Sequence, residues 1–297
     1  MNPKPVTRNT QQFMINALTI DVEDYFMVSA FADKVRFEDW HRHESRIERN
    51  TYRILELLAE YKVKATFFVL GWIAEHYPQL IKDISSSGHE IASHGYNHRL
   101  IYDQTPDEFR KDIRKTKKIL EDITGEPVVG YRATSFSVIK ETLWALDILI
   151  EEGFKYDSSI FPIHHDRYGI PEAERFPHII KRKNGAIMEF PPSTLRILGK
   201  NIPIGGGGYL RLLPIQFTEW GMRSINKKET RSAIVYFHPW EIDSEQPKLN
   251  GSRVSIFRHH VNIGKTFSKL KRLLRNFQFG TIKEIFSARL TLPVSFK

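Results

Sequence analysis

Short β-branched or aromatic runs alternate with amphipathic stretches along most of this chain, and few architectures accept that order. Ala17 to Asp21 (ALTID), Val63 to Leu70 (VKATFFVL), His89 to Ser93, Val128 to Tyr131, Phe154 to Asp157, Ile187 to Phe190 and Ala233 to Phe237 read as strands. Between them, apolar residues at helical spacing predict helices from Glu44 to Tyr61, Gly71 to Ser87, after the Thr105–Pro106 cap, from Glu141 to Glu152, and near Pro214 to Asn226. This α/β alternation predicts a parallel sheet, either a barrel or an open doubly wound sheet. The residues able to do chemistry fall just past strands: Asp21, Glu23, Asp24, His94, His98, Arg132, Asp157 and His238. In a (β/α) barrel those strand ends converge on the face where active sites are built.

In Ser93-His94-Gly95-Tyr96-Asn97-His98, two imidazoles lie four residues apart. On a single helical turn that spacing puts both on one side, close enough to grip one ion. The chain contains no cysteine, so any metal must sit on His, Asp and Glu. His89-Glu90 does not make a zincin motif, because position 93 is Ser93. A carboxylate from the Asp21–Asp24 cluster would complete a three-ligand site with an open position. Such an ion lowers the pKa of bound water from about 15.7 to about 7. A second carboxylate could take the proton, Arg132 could fix that base by a bidentate pair, and His238 could protonate a leaving amine. Singly, each residue has a blander reading as a cap, a surface ion pair or a core histidine. Together, in a consistent order at strand ends, they predict metal-assisted amide or ester hydrolysis.

The motif order resembles that of the NodB-homology polysaccharide deacetylases. Their T-F-D-D is matched by Thr19-Ile20-Asp21-Val22-Glu23-Asp24, their H-S/T-x-x-H by His94 to His98, their arginine motif by Tyr131-Arg132-Ala133, and their late histidine by His238. DVEDYF, GHEIASHGYNH, GGGGYLRLLP, FHPWE and FRHHVNIGKT resemble the exopolysaccharide-associated branch, which has an extra C-terminal conserved segment. The resemblance runs from Ala17 to Phe277 and implies a distorted (β/α)7 barrel that removes N-acetyl groups from a glycan with a divalent metal, usually zinc. By resemblance Asp21 is the catalytic base, His94 and His98 are metal ligands, Arg132 positions the base and His238 is the general acid. The third ligand is Asp24, which keeps the residue type, or Glu23, which shares the strand face of Asp21 if the strand continues; Asp24 is favoured. The arginine motif departs from the family pattern at Thr134, where proline is usual, and this predicts a looser hold on Arg132.

Three regions follow: a polar leader over 1–16 that is not a signal peptide, a barrel over 17–245, and a basic extension over 246–297 packed on or beside it. The net charge is +9, and ten basic residues from Arg253 onward face one acid, Glu284, so the excess lies in this extension. Phe267, Leu270, Leu273, Leu274 and Phe277 recur there at helical spacing, with Lys265, Lys269, Arg272 and Arg275 largely elsewhere around the helix. The leader and the absence of cysteine predict a cytoplasmic protein, with the tail cations touching anionic lipid at the inner membrane face. The expected partner is an N-acetylated polysaccharide or lipid-linked oligosaccharide, met in a groove that includes Asp157, Tyr209 and Trp240. Three rival readings remain: hydrolysis of a small cyclic amide or ureide, a glycan-binding protein without turnover, and, last, nucleic-acid binding, for which no motif is present.

Overall fold

The computed structural model describes residues 14–290. Residues 1–13 of the expected leader and Lys297 of the basic tail lie outside them, while Asn16 already belongs to the first strand.

Eleven strands are formed by the described residues: β1 (Ile15–Val22), β2 (Thr66–Val69), β3 (Glu90–Ser93), β4 (Gly130–Tyr131), β5 (Tyr156–Asp157), β6 (His178–Arg182), β7 (Gly185–Glu189), β8 (Thr194–Ile197), β9 (Lys200–Pro203), β10 (Ile234–Phe237) and β11 (Gln278–Gly280). The α-helices are α1 (Ile47–Glu60), α2 (Gly71–His76), α3 (Pro78–Ser86), α4 (Pro106–Thr124), α5 (Trp144–Glu151), α6 (Gly207–Leu212), α7 (Ile215–Lys227), α8 (Arg253–His260), α9 (Ile263–Asn276) and α10 (Ile282–Leu290). Seven strands run parallel in the order β10-β1-β2-β3-β4-β5-β7, with β6 antiparallel on the outer edge of β7. Where β7 gives out, Ser193 reaches β10: its N–H donates to the Ile234 carbonyl at 3.2 Å and its Oγ accepts from Ile234 N at 2.6 Å. Further along, Tyr236 N donates to the Gly205 carbonyl at 3.0 Å and Gly206 bridges Tyr236, so the expected α/β fold is a parallel barrel closed at one seam by isolated bonds rather than by a strand.

Period-2 alternation along β1 separates two cores. Leu18, Ile20 and Val22 join the large cluster under the surrounding helices, whereas Ala17 joins Phe68, Ala92, Tyr156, Met188, Phe190 and Ile234 inside the barrel. Ile282 and Ile285 of α10 belong to that inner cluster, so the barrel's N-terminal end is plugged by the far end of the chain. The plug is anchored by its own first turn: Ile282 N donates to Thr66 Oγ1 (2.8 Å) and Lys283 N to Glu90 Oε2 (2.9 Å). β11 pairs in parallel with the start of β1. The segment drawn as an extension therefore supplies a strand and the base of the barrel.

Three expectations about elements change. The helix predicted from Gly71 to Ser87 is two, because Pro78 cannot donate the N–H that would continue α2 and instead opens α3. The hairpin β8–β9, the strand β6 and the short helix α6 have no counterpart among the predicted elements. In the tail, α9 buries Ile263, Leu270, Leu273 and Leu274 against the body. Its cations are largely engaged there: Lys269 Nζ donates to the carbonyls of Leu210, Arg211 and Leu213 at the end of α6, and Arg272 pairs with Glu219 at 2.8 Å. Among the described residues, Lys265 and Arg275 are the exposed cations of the four without such a bond. Among the described residues, no helix is long and apolar enough to cross a membrane.

Candidate active site

The C-terminal ends of β1, β3, β4 and β10 deliver Asp21, Glu23, His94, Arg132 and His238 to one end of the barrel, where all but the fully buried Arg132 line the floor of a cavity of about 440 Å³. β1 sets the pattern. Thr19, Asp21 and Glu23 recur every second residue and share its inward face.

Glu23, His94 and His98 offer one ligand atom apiece within 4.8 Å of one another. His94 is held by Nδ1–H donation to the Arg132 carbonyl at 2.8 Å, which leaves Nε2 as a lone-pair donor facing the cluster. Burial holds the His94 imidazole low, at about 4, and neutral imidazole is the form that binds a metal. His98 Nε2 lies 2.7 Å from Glu23 Oε2, and its Nδ1 lies 3.3 Å from Ser29 Oγ. Burial works against charge on Glu23, but the fields of His98 and His238 outweigh it and hold the carboxyl at about 2. Two imidazoles and one ionised, buried carboxylate are a donor set that suits zinc.

The pair of histidines does not sit on a helical turn. Gly95 (φ 73°) and His98 (φ 56°) both take left-handed backbone, so the chain after β3 curls as a loop that brings the rings to 5.9 Å between centroids. Asp112 of α4 holds that loop by accepting from Tyr96 N at 3.0 Å and 3.1 Å.

Asp24, favoured above as the third ligand, faces the other way. One of its oxygens accepts from Ser45 Oγ (2.9 Å), Arg46 N (2.7 Å) and Ile47 N (3.1 Å), satisfying orphan donors at the start of α1. Continuation of the β1 alternation past Val22 is what turns Glu23, and not Asp24, toward His94 and His98.

Arg132 is fully buried and lies over the Phe68 ring, with Cζ 4.1 Å from its centroid. It does not grip Asp21 in bidentate fashion. Nη1 donates to both Asp21 Oδ1 (2.6 Å) and Thr19 Oγ1 (2.8 Å), while Nε and Nη2 donate to the carbonyl and hydroxyl of Ser158. The expected loosening at Thr134 does not occur, since those four bonds fix the guanidinium and Thr134 Oγ1 itself donates to the Arg99 carbonyl at 3.0 Å. His238 places Nε2 3.1 Å from Glu23 Oε1 and 3.8 Å from Asp21 Oδ2, with Nδ1 3.1 Å from Glu241 Oε2. Burial alone would lower its pKa, but Glu23, Glu241 and Asp21 outweigh it and raise it to about 9.

Of the three expected groove residues, only Tyr209 lines the cavity as a free aromatic wall. Asp157 is fully buried and shares its site with Glu189. Burial first, and the Asp157 charge second, push the Glu189 carboxyl well up. Trp240 touches the cavity but both of its faces are covered, by His238 at 5.4 Å and His259 at 4.2 Å. Sequence reasoning gave no place in the cavity to Phe257, Arg258, Arg167 and Tyr168, which α8 and the 161–177 excursion bring to its lining. Phe257 and Arg258 open the FRHHVNIGKT run, but that likeness says nothing of what they face, and only the fold shows them meeting.

Comparison with known proteins supports the polysaccharide deacetylase family. Residues 35–149 match the model of that family, described as polysaccharide deacetylase, and residues 158–287 match a domain of unknown function, DUF3473. A peptidoglycan-N-acetylglucosamine deacetylase of Bacillus cereus is 43% identical over 98 residues, 33% of this chain and 36% of that protein, so the match spans about a third of the relative. A Mycobacterium smegmatis structure assigned as a polysaccharide deacetylase aligns over 100% of this chain and 98% of its own, with a TM-score of 0.64 at 21% identity. The allantoinase Puue aligns over 95% and 92% with a TM-score of 0.60 at 15% identity. At these identities the structural likeness bears on the fold alone.

Proposed function

We propose that this protein is a divalent-metal hydrolase that removes N-acetyl groups from a glycan, an exopolysaccharide or its lipid-linked precursor. The observation that carries the reading is the convergence of Glu23, His94 and His98 beside an arginine-bound Asp21 and His238 at the floor of one cavity. Glu23, His94 and His98 would hold the ion, for which zinc is the best fit. Once bound, it would supply Lewis acidity toward the amide carbonyl and the attacking water.

The remaining work belongs to the chain. Arg132 engages Asp21 Oδ1, which leaves Oδ2 turned toward His238 as the oxygen that takes the proton of the attacking water. As water adds to the acetyl carbon and the C–N bond breaks, the departing sugar amine needs a proton, and His238 Nε2 faces the same space as Asp21 Oδ2. Glu241 accepts from His238 Nδ1 and fixes the tautomer and ring plane, while Arg211 holds Glu241 at 2.6 Å. Tyr209 offers a face on which a sugar ring can lie.

Acetate release from N-acetylglucosamine oligomers tests the reading, measured on the purified protein, after chelation and after zinc is restored. Release that vanishes and returns supports it. No release with zinc in excess would overturn it, and ring opening of allantoin under the same conditions would move the protein to ureide chemistry.

A further inference from the structure

The lining of the cavity carries both signs of charge. Asp21 and Glu23 are the carboxylates that line it, and both are committed to the cluster with His94, Arg132 and His238. Arg167, from the excursion after β5, and Arg258, from α8, line the same cavity. Both are exposed, and neither guanidinium has an acidic or carbonyl partner among the described residues. Elsewhere this protein pairs arginines readily, as Arg110 with Glu152, Arg182 with Asp147 and Arg211 with Glu241 show. The neighbouring Asp166 does not line the cavity. Its side chain is 70% exposed and lies against His165. Tyr209 and Phe257 line the cavity with the two arginines as ring-sized apolar surface, whereas Tyr168 is already stacked on His165 at 3.8 Å and on Phe161 at 6.0 Å. Phe257 is 60% exposed and Leu212 52%, so this wall offers stacking area already free of side-chain contacts.

We infer that the cavity selects an acidic glycan, with Arg167 and Arg258 receiving a carboxylate or phosphate borne near the acetylated sugar. This inference rests on the deacetylase reading for the floor of the cavity but not for its own test. Two exposed charge contacts favour an acidic over a neutral ligand by about fivefold at low salt. Because the arginines are exposed, the preference must fade as salt shortens the screening length.

Titration calorimetry on the zinc-loaded protein can measure binding of three ligands at low and high salt. They are a neutral N-acetylglucosamine oligomer, an oligomer alternating N-acetylglucosamine with a hexuronate, and an N-acetylglucosamine oligomer ending in a 1-phosphate. The expected result is tighter, salt-sensitive binding of the acidic ligands, and whichever of the two gains more identifies the group recognised. Arg167→Gln with Arg258→Gln should bring acidic and neutral ligands to equal affinity, Arg167→Lys with Arg258→Lys should restore part of the gap, and Glu at both positions should invert it. Equal affinities in the parent protein, or a preference that survives the Gln pair, would overturn the inference. So would arginine-dependent binding to phosphatidylglycerol vesicles without discrimination among the sugars. Acetate release in the same samples is read separately. Its absence counts against the hydrolase, while the binding comparison still decides this point.

Discussion

Glu23 and Asp24 are adjacent carboxylates with opposite fates, and a strand's two-residue period decides between them. Glu23 continues the inward row of Thr19 and Asp21, while Asp24 falls on the other side and caps α1. Glu23→Gln should therefore abolish stoichiometric zinc, measured by metal analysis after dialysis, with the fold intact. Asp24→Ala should keep the zinc and lose about 1–2 kcal/mol of stability in denaturant titration, the cost of leaving the Arg46 and Ile47 N–H groups uncapped. If Asp24→Ala is the variant that loses metal, the assignment of the third ligand is wrong. Asp21→Asn should retain zinc while acetate release falls by about two to four orders of magnitude, the usual worth of a positioned base. Near-normal release from that variant would dismiss Asp21 as the base.

Among the elements, the loop between β3 and α4 carries the most consequence. Gly95 at φ 73° has no room for a side chain, since a Cβ would lie 3.1 Å from Asp112 Oδ1 in a conformation L residues resist. Gly95→Ala should weaken zinc binding more than it lowers the unfolding midpoint. Asp112 adds a pH signature. Burial pushes its carboxyl up to about 7, despite the hydrogen bond from Tyr96 N. With the folded pKa above the ordinary 3.8, its contribution is present in full below that value and lost as pH rises through 7. Between pH 5 and 8 the Asp112→Asn variant should gain stability relative to the parent, read as the difference of denaturant midpoints. A flat difference would mean that Asp112 ionises normally. This loop also marks where sequence reading stops. The βα order and the strand-end placement of Asp21, His94, Arg132 and His238 follow from hydrophobic period and motif, and the structure keeps them. The left-handed turns at Gly95 and His98 leave no trace in periodicity, so a helical turn was the default expectation. The hairpin β8–β9 and the cavity wall at α8 are set by tertiary contact, which no local pattern encodes.

At the scale of the molecule, the barrel is a container with a separate base. Ile282 is fully buried among strands whose residues lie from 17 to 234, so Ile282→Ala should cost about 2–5 kcal/mol and lower the thermal midpoint. A variant that melts with the parent would show that α10 is an accessory. The C-terminal third also shapes function, because α8 and α9 pack near the short turn that bears His238 and Trp240. Arg211 ties these parts together by donating to Glu241 and to the carbonyls of Arg258 and His259.

That base has a consequence for how the protein comes into being. Synthesis runs from β1 toward α10, yet β1 has to wait for β10 and β11 as neighbours, and the inner core has to wait for α10. A growing chain can pair β1 through β5 and still expose Phe68, Tyr156 and Phe190 at an open lower end. Ribosome-bound chains halted before Gln278 should accordingly recruit chaperones and resist zinc uptake. Extension through α10 and release from the ribosome should convert them in one step.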